Sequence, residues 1–186
     1  NYFSKILKFS PENLSVLRKI ALCYFYANKL EQTELILKKI IKIKINEPNA
    51  LSMLIFILEE QDKIDESINY IDLGLKEKLL DEHWKIKKKL ILPAIFEDSK
   101  NIDNIREKLN NNLDEILESK KNFSFSIDSH LIKPAQFDLS YDQYNNLEIN
   151  KKCVKVFRKI YPELNKIYVP PKNTNSKIKI GFISDY

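Results

Sequence analysis

Few side chains in this sequence are of the types that carry chemistry. His83 and His130 are its two histidines, the residues whose charge changes near neutral pH. His83 has no carboxylate, cysteine or second histidine at a spacing that would make it a metal ligand or general base, so it reads as structural or exposed. His130 lies in the loop Ser129-His130-Leu131 and reads as solvated or hydrogen-bonded rather than catalytic. Cys23 and Cys153 stand far apart within apolar helical patterns, which predicts buried free thiols in a reducing compartment rather than a disulfide or metal site. Gly74 and Gly181 are the two glycines, too few for a glycine-rich phosphate loop. No catalytic, cofactor-binding or metal-ligating residue is therefore assigned, and no cofactor is expected.

The remaining candidate is basic. Lys85, Lys87, Lys88 and Lys89 form the densest run in a chain of net charge +5. Lysines elsewhere are interleaved with Glu and Asp, so this run predicts a solvated helix face rather than a phosphate groove, and no nucleic-acid partner. The longest apolar stretch, Leu51 to Leu58, is too short to span a bilayer. The N-terminal residues lack the pattern of a signal peptide, and the expected location is cytoplasmic. Asn13-Leu14-Ser15 and Asn122-Phe123-Ser124 match the glycosylation acceptor pattern by chance on this reading.

The elements that would position any site begin with an internal repeat. Residues 14–47 overlie the following segment at an offset of 34. Leu17, Ile20, Ala21 and Tyr24 meet Leu51, Leu54, Ile55 and Leu58 on a first helix. Asn28-Lys29-Leu30 meets Asp62-Lys63-Ile64 at a turn, and Thr33, Leu37 and Ile40 meet Ser67, Ile71 and Gly74 on a second helix. Apolar residues three and four apart on both helices give each pair a face that a neighbouring pair must cover. Residues 2–9, with Phe3, Ile6 and Leu7, read as the tail of an earlier pair. A further step of 34 would place Lys85, Lys88 and Lys89 at apolar positions, so the array is expected to end near Lys78, with Trp84 as a packing anchor beyond it.

Downstream, Ile102, Ile105, Leu109, Leu113, Ile116 and Leu117 predict an amphipathic docking helix of about 18 residues, capped by Asp98 or Ser99. A second helix is expected from Leu147 to Ile160, closing at Tyr161-Pro162. Residues 170–177 form a polar, proline-led linker. After it, Lys177 to Ile183 alternates and then turns continuously apolar, as a parallel strand entering an α/β sheet does.

The 34-residue pattern resembles the tetratricopeptide repeat. The order Leu92-Pro93-Ala94-Ile95-Phe96, Glu97-Asp98, Arg106, Phe137 to Tyr141, Tyr144-Asn145-Asn146, Tyr161-Pro162 and Lys177 to Tyr186 resembles the O-GlcNAc transferase (SPINDLY-like) glycosyltransferases. The last of these is similar to the family's first catalytic strand, with one Ser fewer before Asp185.

That resemblance implies a mainly α chain: tetratricopeptide-like helical repeats in 1–78, a helical linker region in 79–169, and in 170–186 a linker and the first strand of an α/β glycosyltransferase domain. It implies a piece of a protein O-linked glycosyltransferase, inactive alone, whose catalytic residues lie beyond Tyr186. The parent would transfer a sugar, N-acetylglucosamine from UDP-N-acetylglucosamine or another nucleotide-sugar donor, to Ser or Thr of acceptor proteins held on the repeat surface. In the family an Asn ladder grips the acceptor backbone; the matching positions here hold Lys19 and Met53. A non-enzymatic adaptor for protein–protein interaction is the alternative.

Overall fold

The structure is a computed structural model, and it describes residues 10–96, 98–125, 139 and 144–166. These residues are mainly helical, with no strand among them. Seven α-helices follow one another: α1 (Leu14–Tyr26), α2 (Leu30–Ile43), α3 (Pro48–Glu60), α4 (Ile64–Lys76), α5 (Glu82–Leu90), α6 (Ser99–Glu118) and α7 (Leu147–Ile160), closed by a 3-10 turn at Pro162–Asn165. The anticipated linker and strand at 170–186, the upstream tail at 2–9, His130 and all of 137–141 except Leu139 lie outside the described residues.

The first four helices form two hairpins whose turns share one construction. Asn28 and Asp62 have left-handed backbones, with φ of 53° and 56°, a conformation that Asn and Asp tolerate better than most residues. The following amide of Lys29 donates to Tyr24 O at 2.9 Å, and that of Lys63 to Leu58 O at 2.8 Å. Each bond reaches back five residues and satisfies a carbonyl that the helix end would otherwise leave open. Lys78 closes α4 the same way, with φ 56° and Leu79 N donating to Gly74 O at 2.8 Å.

The repeat positions expected to pack inward do so except Tyr24, which is half-buried. Leu17, Ala21, Leu51, Leu54, Ile55 and Leu58 are buried, and so are Thr33, Leu37 and Ile40 and their repeat equivalents Ser67, Ile71 and Gly74. Small residues matter at these crossings. A Cβ at Gly74 would stand 2.5 Å from Leu80 Cδ1 and 2.8 Å from Leu51 Cδ2, closer than packed atoms approach. Glu34 on α2 is also buried, and it is answered from the next hairpin by Lys63 Nζ at 2.6 Å and Gln61 Nε2 at 2.8 Å.

Helix α5 departs from the repeat. It has 9 residues where α1 and α3 have 13, begins on the Asp81 side chain, which accepts from His83 N, and carries residues of two cores. Trp84 enters the cluster built from α1 to α4. Ile86 and Leu90 enter a second cluster with Leu109, Leu113 and Ile116 of α6, Leu139, and Cys153, Val156 and Ile160 of α7. Helix α6 starts on Asp98, whose Oδ1 accepts from Asn101 N at 2.7 Å, and α7 has the expected bounds.

Two expectations need correction. Cys153 is buried, and its surroundings push the thiol up to about 11, but Cys23 is exposed. The buried stripe of α1, Val16 to Ala21, occupies its first two turns; Cys23 lies beyond it, between the exposed Leu22 and the half-buried Tyr24. The lysine run is more than a solvated face. Lys87 reaches Glu59 of α3 at 2.8 Å, Lys88 reaches Asp72 of α4 at 2.6 Å, and Lys89 pairs with Glu115 of α6. Three consecutive lysines diverge around a helix by about 100° each, which lets one short helix tie three neighbours.

Candidate protein-binding groove

The first helices of the two hairpins, α1 and α3, both face one cavity, which Leu37 of α2 also lines. Its volume is about 440 Å³, and its lining includes Arg18, Leu22, Leu37, Asn49, Ala50 and Met53. Ala21 and Ala50 keep its floor low. Leu22 and Met53 form walls, and Glu47 and Asn49 at the start of α3 also line it.

An apolar track extends the groove along the same face. Leu22 and Phe56 are each 43% exposed and occupy equivalent positions in the two hairpins, 34 residues apart. Phe56 meets the Phe25 ring edge-on at 6.2 Å between centroids, and Phe25 leans on the exposed Tyr26 at 5.6 Å. Exposed apolar residues scattered singly are ordinary; here Leu22 lines the cavity and Phe56 stands one helical turn from the lining residue Met53.

The rim is charged. Arg18 Nε and Nη2 both donate to Glu47 Oε2, at 3.0 and 2.6 Å, while Lys44 Nζ lies 3.3 Å from Glu47 Oε1. The Arg18 hydrogen bond, against a smaller opposing effect of burial, lowers the Glu47 carboxyl below its usual range. Met53, one of the two positions matched to the Asn ladder, lines this groove; Lys19, the other, is exposed on α1 outside the lining. Residue type and spacing alone do not mark Arg18 or Asn49. Leu22 and Phe56 carried a usable signal, being apolar at equivalent repeat positions yet outside the buried stripe.

Elsewhere the chemistry is structural. His83 is buried, stacks on Phe125 at 4.4 Å between centroids, and shares a 2.7 Å hydrogen bond between Nε2 and the Tyr161 hydroxyl. A second cavity, of about 310 Å³, lies between α4, α5 and α6. Its wall is closed where Asp62 Oδ1 accepts from Ala94 N at 2.7 Å, and Lys88 and Lys89 at its mouth are engaged by Asp72 and Glu115. Among the described residues no group of His, Cys, Asp and Glu is arranged to hold a metal ion, and no helix is long and apolar enough to cross a membrane. Comparison with protein-family models, curated proteins and solved structures finds no match for this chain.

Proposed function

We propose that these helical pairs are tetratricopeptide-type repeats of a cytoplasmic protein O-linked glycosyltransferase, and that they hold an acceptor segment in the groove between α1 and α3. The observation that carries the binding half is the groove itself, with its floor of Ala21 and Ala50 and the repeated exposed pair Leu22 and Phe56. Stacked hairpins create such concave surfaces as a matter of geometry. The catalytic half rests on the resemblance in residues 91–186 to the O-GlcNAc transferase (SPINDLY-like) family. In this reading a following α/β domain transfers N-acetylglucosamine from its uridine diphosphate donor to Ser or Thr hydroxyls. Members of that family that use fucose from a guanosine diphosphate donor give the second donor to test.

The test is to incubate the protein carrying this chain, with and without residues 1–78, with each labelled donor and a set of acceptor proteins. Label in the acceptor that depends on the repeats supports the reading. Labelling with neither donor removes the transferase, and equal labelling without the repeats removes their acceptor role. A non-enzymatic adaptor is the second reading. It is favoured by one feature, that the groove is built from α1, α2, α3 and the α2–α3 connection and needs no catalytic domain to complete it.

A further inference from the structure

Resting on that reading of the groove, we propose that its occupant is a peptide segment presenting one bulky apolar side chain flanked by carboxylates. The segment would be recognised by its side chains rather than by amide groups along its backbone.

Three features point to this chemistry. The cavity between Leu22 and Met53 is closed below by Leu37 and by two alanines, and its 440 Å³ falls in the range of sites that enclose a ligand group. Met53 is an adaptable wall, because an unbranched thioether side chain shapes itself to different apolar partners. The position that a backbone-gripping amide would occupy is thus apolar, and beyond it the track continues over Phe56.

The charge at the rim has a sign. Arg18 and Lys44 share a single carboxylate, Glu47, so two cations face one anion. The Arg18 side chain is 46% exposed, and its bonds to Glu47 go through Nε and Nη2 to one oxygen. A guanidinium has five N–H donors, so part of its fork remains available to an incoming carboxylate. Like charges on the peptide would be repelled, and the attraction would weaken as salt screens it.

The experiment is fluorescence anisotropy on the 186-residue chain with labelled twelve-residue peptides. One carries a central Leu between three acidic residues on each side, a second has that Leu replaced by Ser, a third replaces the acids by Lys, and a fourth is a neutral Ser/Thr-rich sequence. The acidic Leu peptide is expected to bind best. Loss of Leu or of the acids should each weaken it roughly ten-fold or more, and raising the salt should weaken it further. Arg18→Glu and Leu22→Ser, both at exposed side chains outside the cores, should weaken it comparably while leaving the helical circular dichroism unchanged.

Equal binding of the Ser and Leu peptides, or of the Lys and acidic peptides, overturns the proposed chemistry. If the neutral Ser/Thr peptide binds as tightly and Leu22→Ser weakens it, the groove stands as the acceptor face and only its selectivity is wrong. If no peptide binds, or binding is indifferent to both variants, the groove reading fails as well. Dimerisation of the chain that Leu22→Ser abolishes would make the face a self-contact and overturn the proposal.

Discussion

The hydroxyl of Tyr161 sits 2.7 Å from Nε2 of His83, a buried contact between residues 78 positions apart. It fastens the start of α5 to the end of α7, and Phe125 covers the imidazole while its own amide donates to Ile160 O at 3.1 Å. Helix α5 is thereby held from both sides, by Trp84 in the first core and by this contact, Ile86 and Leu90 in the second.

The first prediction concerns acid. Burial, the largest influence, lowers the His83 pKa; the Asp81 carboxylate opposes it and the Lys87 ammonium adds to it. A histidine whose folded pKa lies below its unfolded value of about 6.5 binds protons more readily when unfolded. Its contribution is therefore intact above pH 6.5 and lost as pH falls toward the folded pKa. Urea denaturation at pH 7.5 and 5.5 should show a lower midpoint at the acid pH, and His83→Gln should reduce that difference. An unchanged difference in His83→Gln would assign the effect elsewhere.

Glu34 gives a second, lower window. Burial alone would raise its carboxyl, but hydrogen bonds from Lys38, Lys63 and Gln61 together outweigh it and hold the pKa at about 2, against an ordinary 4.5. Stability from a depressed carboxyl is complete above the unfolded pKa and is lost between about pH 4.5 and 2. Glu34→Gln should cost about 1–3 kcal/mol at neutral pH and flatten the stability profile across that window. The checking measurement is denaturant unfolding from pH 5 downward.

A third prediction takes the hairpin closures. A non-glycine residue in the left-handed region carries a cost of about 1–2 kcal/mol, which Asn28 and Asp62 partly avoid and Lys78 does not. Lys78→Gly should therefore raise stability by about 1 kcal/mol, and Asn28→Val should lower it by a similar or larger amount. Thermal unfolding would decide; a neutral Asn28→Val would mean the turn reforms differently.

The fourth prediction is a double-mutant cycle. Lys87 and Glu59 have side chains only 12% and 10% exposed, and Ser67 Oγ also donates to Glu59 at 3.4 Å. Lys87→Met, which takes the cation from beside a largely buried carboxylate, should cost roughly 3 kcal/mol, and Glu59→Met added to it should restore part of that loss. Additive losses in the cycle would show that the pair is not coupled.

Much of this architecture is legible in the residues because local rules and packing agree. Asn28 and Asp62 suit a left-handed turn, Thr33 and Ser67 are small where helices cross, and Asp98 is a cap, so the hairpins and α6 are readable from type and spacing. What was not legible depends on distant contacts. That Cys23 faces outward is decided by where the buried stripe of α1 stops. That Lys87, Lys88 and Lys89 each tie a different helix is decided by the placement of α5 between two cores. Lysine patterns on a single helix say nothing of partners on three others, and the His83 contact to Tyr161 spans most of the described chain. The groove is half legible: Met53 stands out by its repeat position, but Arg18 and Leu22 gain their meaning only where α1 and α3 line one cavity.

The central claim is that the α1–α3 groove is the acceptor-binding face, and the sequence supplies its own probe. Met53 is the single methionine in the chain and lines the groove, so its ε-methyl group gives one assigned signal when methionine is carbon-13 labelled. Titration with the acidic Leu peptide should shift that signal progressively to saturation, and Leu22→Ser should weaken the response. Peptide binding that leaves the Met53 methyl unmoved would place the binding face elsewhere and contradict the account.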